Sequence, residues 1–349
     1  MQSVGPIPTA IAGRGPAARR LAPGLVVALV LAAAAQTAGA LLPLAGAPVL
    51  ALAAGLVVRT AAGPRPAWGP GVEFTLRRLL RLAIVLFGAT LGFTQVVRIG
   101  AGATALLATT VLLALGLTAL FGRWLRAPGG LVSLIGAGTA ICGATAILTI
   151  GPIIEARQDE VAFAVTTIFL FNMLAVVLYP VLGQLLALSD TAFGVWAGAA
   201  IHDTSSVLAA AFQFSEPAGQ VATVVKLTRT LLLVPLALAF GVAHSVRRSR
   251  AGVGAAQVRL ARIFPWFVVW FAAAALLHTL GLVGPSLARA ASVTGRFLVV
   301  MVMVAVGLSA DLAGMRRLGL RPFYIGLLAS VAIAAISLAL LRALPISTP

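Results

Sequence analysis

Lys226 and Arg229 stand three residues apart in ATVVKLTRTLLLVP (222–235), inside a long apolar segment, and Lys226 is the only lysine in the chain. Residues at i and i+3 share a helix face, and Thr223 and Thr230 fall on the same side. Two cations and two hydroxyls on one face make a lining suited to an anion. The same residues could instead form a structural ion pair with Asp203 or Asp311, or snorkel to the membrane interface. Arg229 lies roughly 15 residues from the next arginine-rich loop, about 20 Å along a helix, too far to snorkel in that direction.

A second polar group, His202-Asp203-Thr204-Ser205-Ser206, interrupts the apolar stretch 192–213. An Asp at the centre of a spanning helix costs about 2.5–3.5 kcal/mol, so such residues face a cavity or a partner. The alternative is a polar loop outside the bilayer. Asp203 is a candidate proton carrier or counter-charge, His202 changes charge near neutral pH, and Ser205 and Ser206 add hydroxyls. A third group contains Gly136, Gly138, Gly143 and Gly151 with Thr139, Cys142, Thr145 and Pro152. Glycine costs about 1 kcal/mol relative to Ala inside a helix. An interruption at membrane depth exposes the N–H groups of a half-helix, which attract anions. Gly138, Thr139, Cys142 and Gly143 therefore join the candidate substrate-binding residues. Close helix packing through small residues is the competing explanation for the glycines.

The elements that must position these residues follow from composition. Of 349 residues, 61% are hydrophobic and 9% charged, with mean hydropathy +1.09. An ordinary soluble domain carries about 25% charge. The fold class is an all-α polytopic membrane protein with about 10–11 transmembrane segments. At about 20 apolar residues per span, segments fall near 23–42, 44–60, 79–96, 102–121, 131–154, 160–187, 192–213, 218–245, 263–281, 292–312 and 322–344. Residues 1–22 read as an N-terminal cytoplasmic tail, 23–344 as one integral membrane domain and 345–349 as a C-terminal tail. The first apolar run reads as a retained helix rather than a cleaved signal peptide. Asn172 and Gln36 read as buried polar residues bonding between helices, and Glu155, Asp159 and Glu160 beside Arg157 as a solvated loop or helix cap.

The net charge of +17 rests on 24 arginines and one lysine against eight acids, and the arginines sit between apolar runs. That distribution is the positive-inside pattern, not a nucleic-acid footprint, so no nucleic-acid partner is expected. A single cysteine excludes an intramolecular disulfide, and His202, His244 and His278 are too scattered for a metal site. No cofactor is expected. Arg59, Arg65, Arg77, Arg78 and Arg81 share one connection, and Arg123 and Arg126 a second. Arg247, Arg248, Arg250, Arg259 and Arg262 form a third, and Arg316, Arg317 and Arg321 a fourth. All four fall on the cytoplasmic face of a plasma or inner membrane if the N-terminus is cytoplasmic.

Residues 135–148 align without a gap against 195–208 at an offset of 60, and 81–94 resembles 296–309. The repeat elements are then 79–121, 131–187, 192–245 and 292–344. The helices starting at Arg81 and Arg296 run in opposite directions, so the repeat is inverted. For 131–154 and 192–213 to be inverted too, each should be an interrupted, re-entrant pair of half-helices. Two full crossings satisfy the arginine count equally well, because the two changes cancel.

At these residues the sequence resembles the YeiH-type family of bacterial membrane proteins, a family labelled as sulfate exporters. The resemblance covers about 23–344 and rests on GTAICGATAI (138–147), DEVAFAV (159–165), WAGAAIHD (196–203), ATVVKLTR (222–229) and GLSADL (307–312). It implies an inner-membrane secondary carrier, and kinship with the bile acid/arsenite/riboflavin transporter superfamily with its crossed, interrupted helices. One departure is that family members usually carry His-Glu followed by apolar residues, whereas His202-Asp203 is followed by three hydroxyl residues.

Together these readings lead to a secondary active transporter of a small anion, an exporter of sulfate or a related oxyanion or sulfonate. Its partners are that anion, the lipid bilayer and a coupling H⁺ or Na⁺, and a homodimer is compatible with it. The rivals are a cation-coupled organic-anion carrier or antiporter on the same fold, a channel, and a membrane-embedded enzyme. The last is disfavoured because the eight acids form no DxxxD cluster and no HExxH.

Overall fold

The computed structural model describes residues 17–41, 46–250, 264–310 and 319–343. Asp311, Arg259, Arg262, Arg316 and Arg317 lie outside them, as do residues 1–16 and 344–349. Every regular element among the described residues is a helix, as an apolar chain in lipid requires: only helices and closed barrels satisfy their own backbone there. Six helical stretches are long and apolar enough to cross a membrane: 19–41, 93–124, 158–185, 216–246, 285–308 and 320–343.

Helix α1 spans Ala17–Leu41 and α2 Gly46–Ala62, so α1 begins inside the stretch expected to be a tail. Residues 66–88 form one run: a 3-10 turn Pro66–Trp68, α3 Gly69–Phe74, a π turn Thr75–Leu79 and α4 Leu80–Gly88. The chain then turns, and α5 (Phe93–Trp124) continues for 32 residues. The expected segments 79–96 and 102–121 are thus misplaced. Thr90 closes the turn by donating its hydroxyl to the Phe87 carbonyl at 2.8 Å, and this turn is too apolar to stand out in hydropathy. Gln36 is exposed rather than buried, on the outer side of α1.

Next come α6 (Gly129–Ala140), α7 (Ala144–Ile153), α8 (Gln158–Leu185), α9 (Asp190–Ala200) and α10 (Thr204–Phe214). They are followed by α11 (Glu216–Leu231), α12 (Leu233–Arg250), α13 (Trp266–Thr279), α14 (Pro285–Leu308) and α15 (Leu320–Ala343). Helices α6 and α7 fold back on each other: a Cβ at Gly138 would stand 2.9 Å from Ile147 Cδ1, and one at Gly151 3.8 Å from Leu134 Cδ2. Their open ends share the start of α8. There the Arg157 amide donates to Glu160 at 3.1 Å and the Arg157 guanidinium pairs with Asp159 at 2.7 Å, the expected cap. Helices α9 and α10 do the same from the opposite side. Phe193 stacks on Phe214 at 4.0 Å, and Ser215 donates to Asp190 at 2.7 Å, joining the two ends. Both interrupted segments are therefore re-entrant hairpins. Their tips, 141–143 and 201–203, keep the 60-residue offset of the sequence repeat. The second tip is buried at His202, which excludes the polar-loop alternative.

Two groups of helices pack side by side. In one, α1, α2, α3–α4, α13 and α14 contact each other; in the other, α5 and α15 embrace both hairpins together with α8 and α11. Gly198 is needed where α9 lies along α11, since a Cβ there would come 2.8 Å from Val225 Cβ. Large apolar side chains point outward, among them Leu112, Leu178 and Val181, while Lys226 and Arg229 are fully buried. This is the reverse of a soluble protein and suits a lipid exterior. One end carries Arg59, Arg65, Arg77, Arg123, Arg126, Arg157 and Arg321 and is called below the arginine-rich face.

The hairpins make a labelling prediction. In a Cys142→Ser background, Arg126→Cys and Gln158→Cys should react with an impermeant maleimide from one side of the membrane. Ala187→Cys and Pro217→Cys should react from the other. A pair flanking one hairpin that labels from opposite sides would mean that the segment crosses.

Candidate functional site

The last four carbonyls of a helix have no partner inside it, and α6 and α9 both end at mid-depth. Their orphan carbonyls meet α11, which runs parallel to α9 and places Lys226 and Arg229 between the tips. Lys226 Nζ donates to the carbonyls of Ile141 (3.0 Å), Ile201 (2.8 Å) and His202 (2.5 Å). Arg229 donates from Nε to Ala140 (2.7 Å), from Nη1 to Ala199 (2.7 Å) and Ile201 (3.4 Å), and from Nη2 to Thr139 (2.5 Å). Six main-chain carbonyls, three from each hairpin, are thus held by two cations. Positive charge at a helix C-terminus is also favoured by the helix dipole. All three Lys226 protons are used, so in this conformation its ammonium has no donor left for an anion. The acceptors are carbonyls, not the carboxylate of Asp203.

The other two half-helix ends are N-termini. At α10, Asp203 Oδ2 accepts from the amides of Ser205 (2.9 Å) and Ser206 (3.4 Å) and, in a short contact, from the Ser205 hydroxyl. The Asp203 amide donates to Asn172 Oδ1 at 3.0 Å, which ties this tip to α8 and gives Asn172 its expected bond between helices. At α7 the N-cap is Gly143, with φ 63° and ψ −128° and no side chain of its own to cap the first turn, where the Ala146 amide meets the Cys142 thiol. The first amide to rejoin the ladder is that of Ile147, on the Gly143 carbonyl at 3.3 Å. The tips touch: a Cβ on Gly143 would stand 3.4 Å from Asp203 Cβ.

Beside these N-termini lies a cavity of about 320 Å³ between the two helix groups. Cys142, Thr145 and Thr149 line it from the first hairpin, Asp203 and Thr204 from the second, Thr230 from α11, and Arg77 and Arg81 from the π turn and α4. Thr145, Arg77 and Arg81 are exposed, so the cavity reaches solvent on the arginine-rich side.

The residues read from sequence thus divide. Cys142, Asp203 and Thr230 line the cavity. Lys226, Arg229 and the Thr139 carbonyl bind the tips together. His202 is buried, with Nε2 2.9 Å from Ser330 Oγ on α15. Ser205 and Ser206 cap α10 behind Asp203. Gly138 is packed between Ile147 and Ile168, and Thr223 bonds back to the Gly219 carbonyl at 2.7 Å, off the cavity wall. Sequence reading missed Arg77, Arg81, Thr145, Thr149 and Thr204 as lining residues. The arginines were legible only as a topology signal, because nothing in one sequence brings α4 under a tip formed some 60 residues later.

Such an architecture, two inverted re-entrant hairpins meeting tip to tip beside a cavity, defines a multi-pass membrane protein built on an inverted repeat. Residues 23–326 match the family model described as Conserved hypothetical protein 698. The chain is 37% identical over 328 residues to a UPF0324 membrane protein of Streptococcus pyogenes serotype M18, covering 92% of this chain and 96% of that one. It is 32% identical to one of Clostridium tetani (90% and 94% covered) and 31% identical to one of Fusobacterium nucleatum (93% and 98%). The chain belongs to this family of membrane proteins, the YeiH-type family that its motifs resemble.

Proposed function

We propose that this protein is a secondary carrier of a small anion, sulfate or a related oxyanion or sulfonate, and that it exports this anion by alternating access. The observation that carries the reading is the cavity at the hairpin tips, placed between two helix groups, where hydroxyls, Asp203 and two arginines share the lining with apolar residues such as Ile84, Leu233 and Phe267. The amides of Ala144 and Thr145 in the first turn of α7 would bind the anion, as half-helix N-termini do, beside the Cys142 thiol that takes the Ala146 amide. The hydroxyls of Thr145, Thr149, Thr204 and Thr230 would complete its shell, with Arg77 and Arg81 drawing it in. Lys226 and Arg229 would act chiefly by holding the tips and by their field, and would reach substrate directly only if the carbonyls were released. Asp203 would carry the coupling H⁺ or Na⁺. Its place on the cavity wall also supports the alternative of a cation-coupled organic-anion carrier.

By the positive-inside rule the arginine-rich face would be cytoplasmic, in the plasma or inner membrane, with the N-terminus on that side. The described state would then be open inward. Closure on the opposite face is supported by Glu216 of α11, which pairs with Arg296 of α14 at 3.2 Å and accepts from Ser292 at 2.5 Å, linking the two groups. Glu216→Gln should speed labelling of a cysteine at Gln213 by an aqueous maleimide several-fold; an unchanged rate would remove this pair from the closure. We propose no covalent chemistry, since Ser205 is engaged with Asp203, and His202 with Ser330.

The test is radiolabelled sulfate flux in proteoliposomes under an imposed pH gradient. Arg81→Gln and Thr145→Val should each lower kcat/KM at least tenfold in protein that purifies like the wild type. Absence of flux in folded wild-type protein would discard sulfate, and sulfonates and carboxylates with Na⁺ would follow. Currents far above carrier turnover would mean a channel.

A further inference from the structure

On the other side of the π turn from the candidate transport cavity lies a second cavity of about 400 Å³, also at the arginine-rich face. Its walls come from the end of α2, the 3-10 turn, α3 and the end of α14, and among the described residues it contains Arg59, Arg65 and Arg77 against one acid, Glu73. The three guanidiniums are held in place by different means. Arg59 Nε donates to the Ala310 carbonyl at 3.2 Å, beyond the C-terminus of α14. Arg65 lies over the Trp68 ring, 5.1 Å from its centroid, and Arg77 pairs with Glu73 at 3.2 Å. Among the described residues, two of these positive charges have no carboxylate partner. The floor beneath them is apolar, formed by Trp68, Val72 and Leu308.

A cluster of guanidiniums over an apolar floor, at the end of spanning helices, has the two-part chemistry of a phospholipid. Guanidinium forks match phosphate oxygens bidentately, and basic pockets between helices on the positive side of membrane proteins hold anionic headgroups. A soluble anion would make no use of the apolar part. We propose that this cavity is a binding site for the phosphodiester headgroup of an anionic phospholipid, with its first acyl carbons on Trp68 and Val72. Leu76 and Arg77 line both cavities. An occupied lipid site therefore draws Arg77 away from the transport cavity and ties its entrance to the anionic lipid content of the membrane.

The experiment measures lipid binding and does not depend on any transport substrate. Delipidated protein in a neutral detergent is titrated with phosphatidylglycerol, phosphatidylcholine or inorganic phosphate, and read by native mass spectrometry and by melting temperature. The wild type should retain phosphatidylglycerol over phosphatidylcholine and melt higher with it, the preference shrinking as salt is raised. Arg65→Gln should weaken the binding about fivefold, the worth of one basic residue near an anionic surface. The Arg65 side chain is exposed and lies over the Trp68 ring, so this variant should fold. Arg59→Gln/Arg65→Gln should abolish the preference, whereas Arg123→Gln/Arg126→Gln, on the same face but elsewhere, should keep it. Undiminished phosphatidylglycerol binding in Arg65→Gln, or equal loss in the Arg123/Arg126 pair, overturns the site. Displacement of the lipid by millimolar phosphate alone overturns the lipid as its ligand.

Discussion

Arg229→Met should cost the protein its fold before it costs any transport. The substitution takes the donors from the carbonyls of Thr139, Ala140 and Ala199, all buried at half-helix ends. Each stranded acceptor costs about 1–3 kcal/mol, so the three together amount to roughly 3–9 kcal/mol. Whole proteins are stable by only about 5–15 kcal/mol. The expected result is a collapse in the yield of monodisperse protein in detergent, or a melting temperature lower by roughly 10 °C or more. Lys226→Met, which strands the Ile141 and His202 carbonyls, should behave similarly. Arg229→Lys should fall between, because one ammonium cannot span both tips with the reach of a guanidinium. Size-exclusion profiles and melting curves of the three variants decide the matter. If Arg229→Met melts like the wild type and loses only anion flux, the carbonyl cradle is dispensable, and the arginine serves substrate directly.

Gly143→Val should be the most damaging single substitution at either tip. Gly143 has positive φ with ψ −128°, a region that side chains rarely enter, at a cost of about 1–3 kcal/mol. Its Cβ would also stand 3.3 Å from Ile168 Cγ2 and 3.4 Å from Asp203 Cβ, where the hairpins touch. A branched side chain has no room there without separating the tips or turning the first amides of α7 away from the cavity. Gly116→Ala, in α5 with nothing within 4 Å of the new Cβ, is the control. It should be neutral or gain up to about 1 kcal/mol from helix propensity. Melting curves of both variants, with cysteine accessibility at Thr145, would test this. Equal stability of Gly143→Val and wild type would show that the tip backbone can take another path.

Lys226 and Arg229 are both cations at zero exposure. A buried charge normally needs a counter-charge, and a carboxylate on Asp203 was one expected partner. Here the hydrogen bonds come from six main-chain carbonyls at the negative ends of two half-helices, and Asp203 adds only a through-space attraction to Lys226. The cradle also explains why the two hairpins must be interrupted where they are. A continuous helix through 141–143 or 201–203 would leave no free carbonyls for α11 to hold, and no free amides beside the cavity. The same break thus serves packing and ligand chemistry on opposite sides of each tip.

By itself the sequence determined the solvent, the opposite directions of the outer repeat elements and the places where the two hairpins break. Charge at 9% and mean hydropathy of +1.09 allow no aqueous fold. The glycines near 143, the His202-Asp203 pair and the 60-residue offset mark both tips to within a few residues. These are local properties, read from one segment at a time. Whether the hairpins return or cross was not legible, because two re-entrant segments and two crossings leave every arginine on the same side. That was decided by contacts such as Phe193 with Phe214 and Gly151 with Leu134. Nor could spacing alone distinguish an anion clamp from a carbonyl cradle, since Lys226 and Arg229 share a helix face in both. The difference lies in what that face meets, and only the packing of α11 between two helix ends from distant parts of the chain supplies six acceptors there.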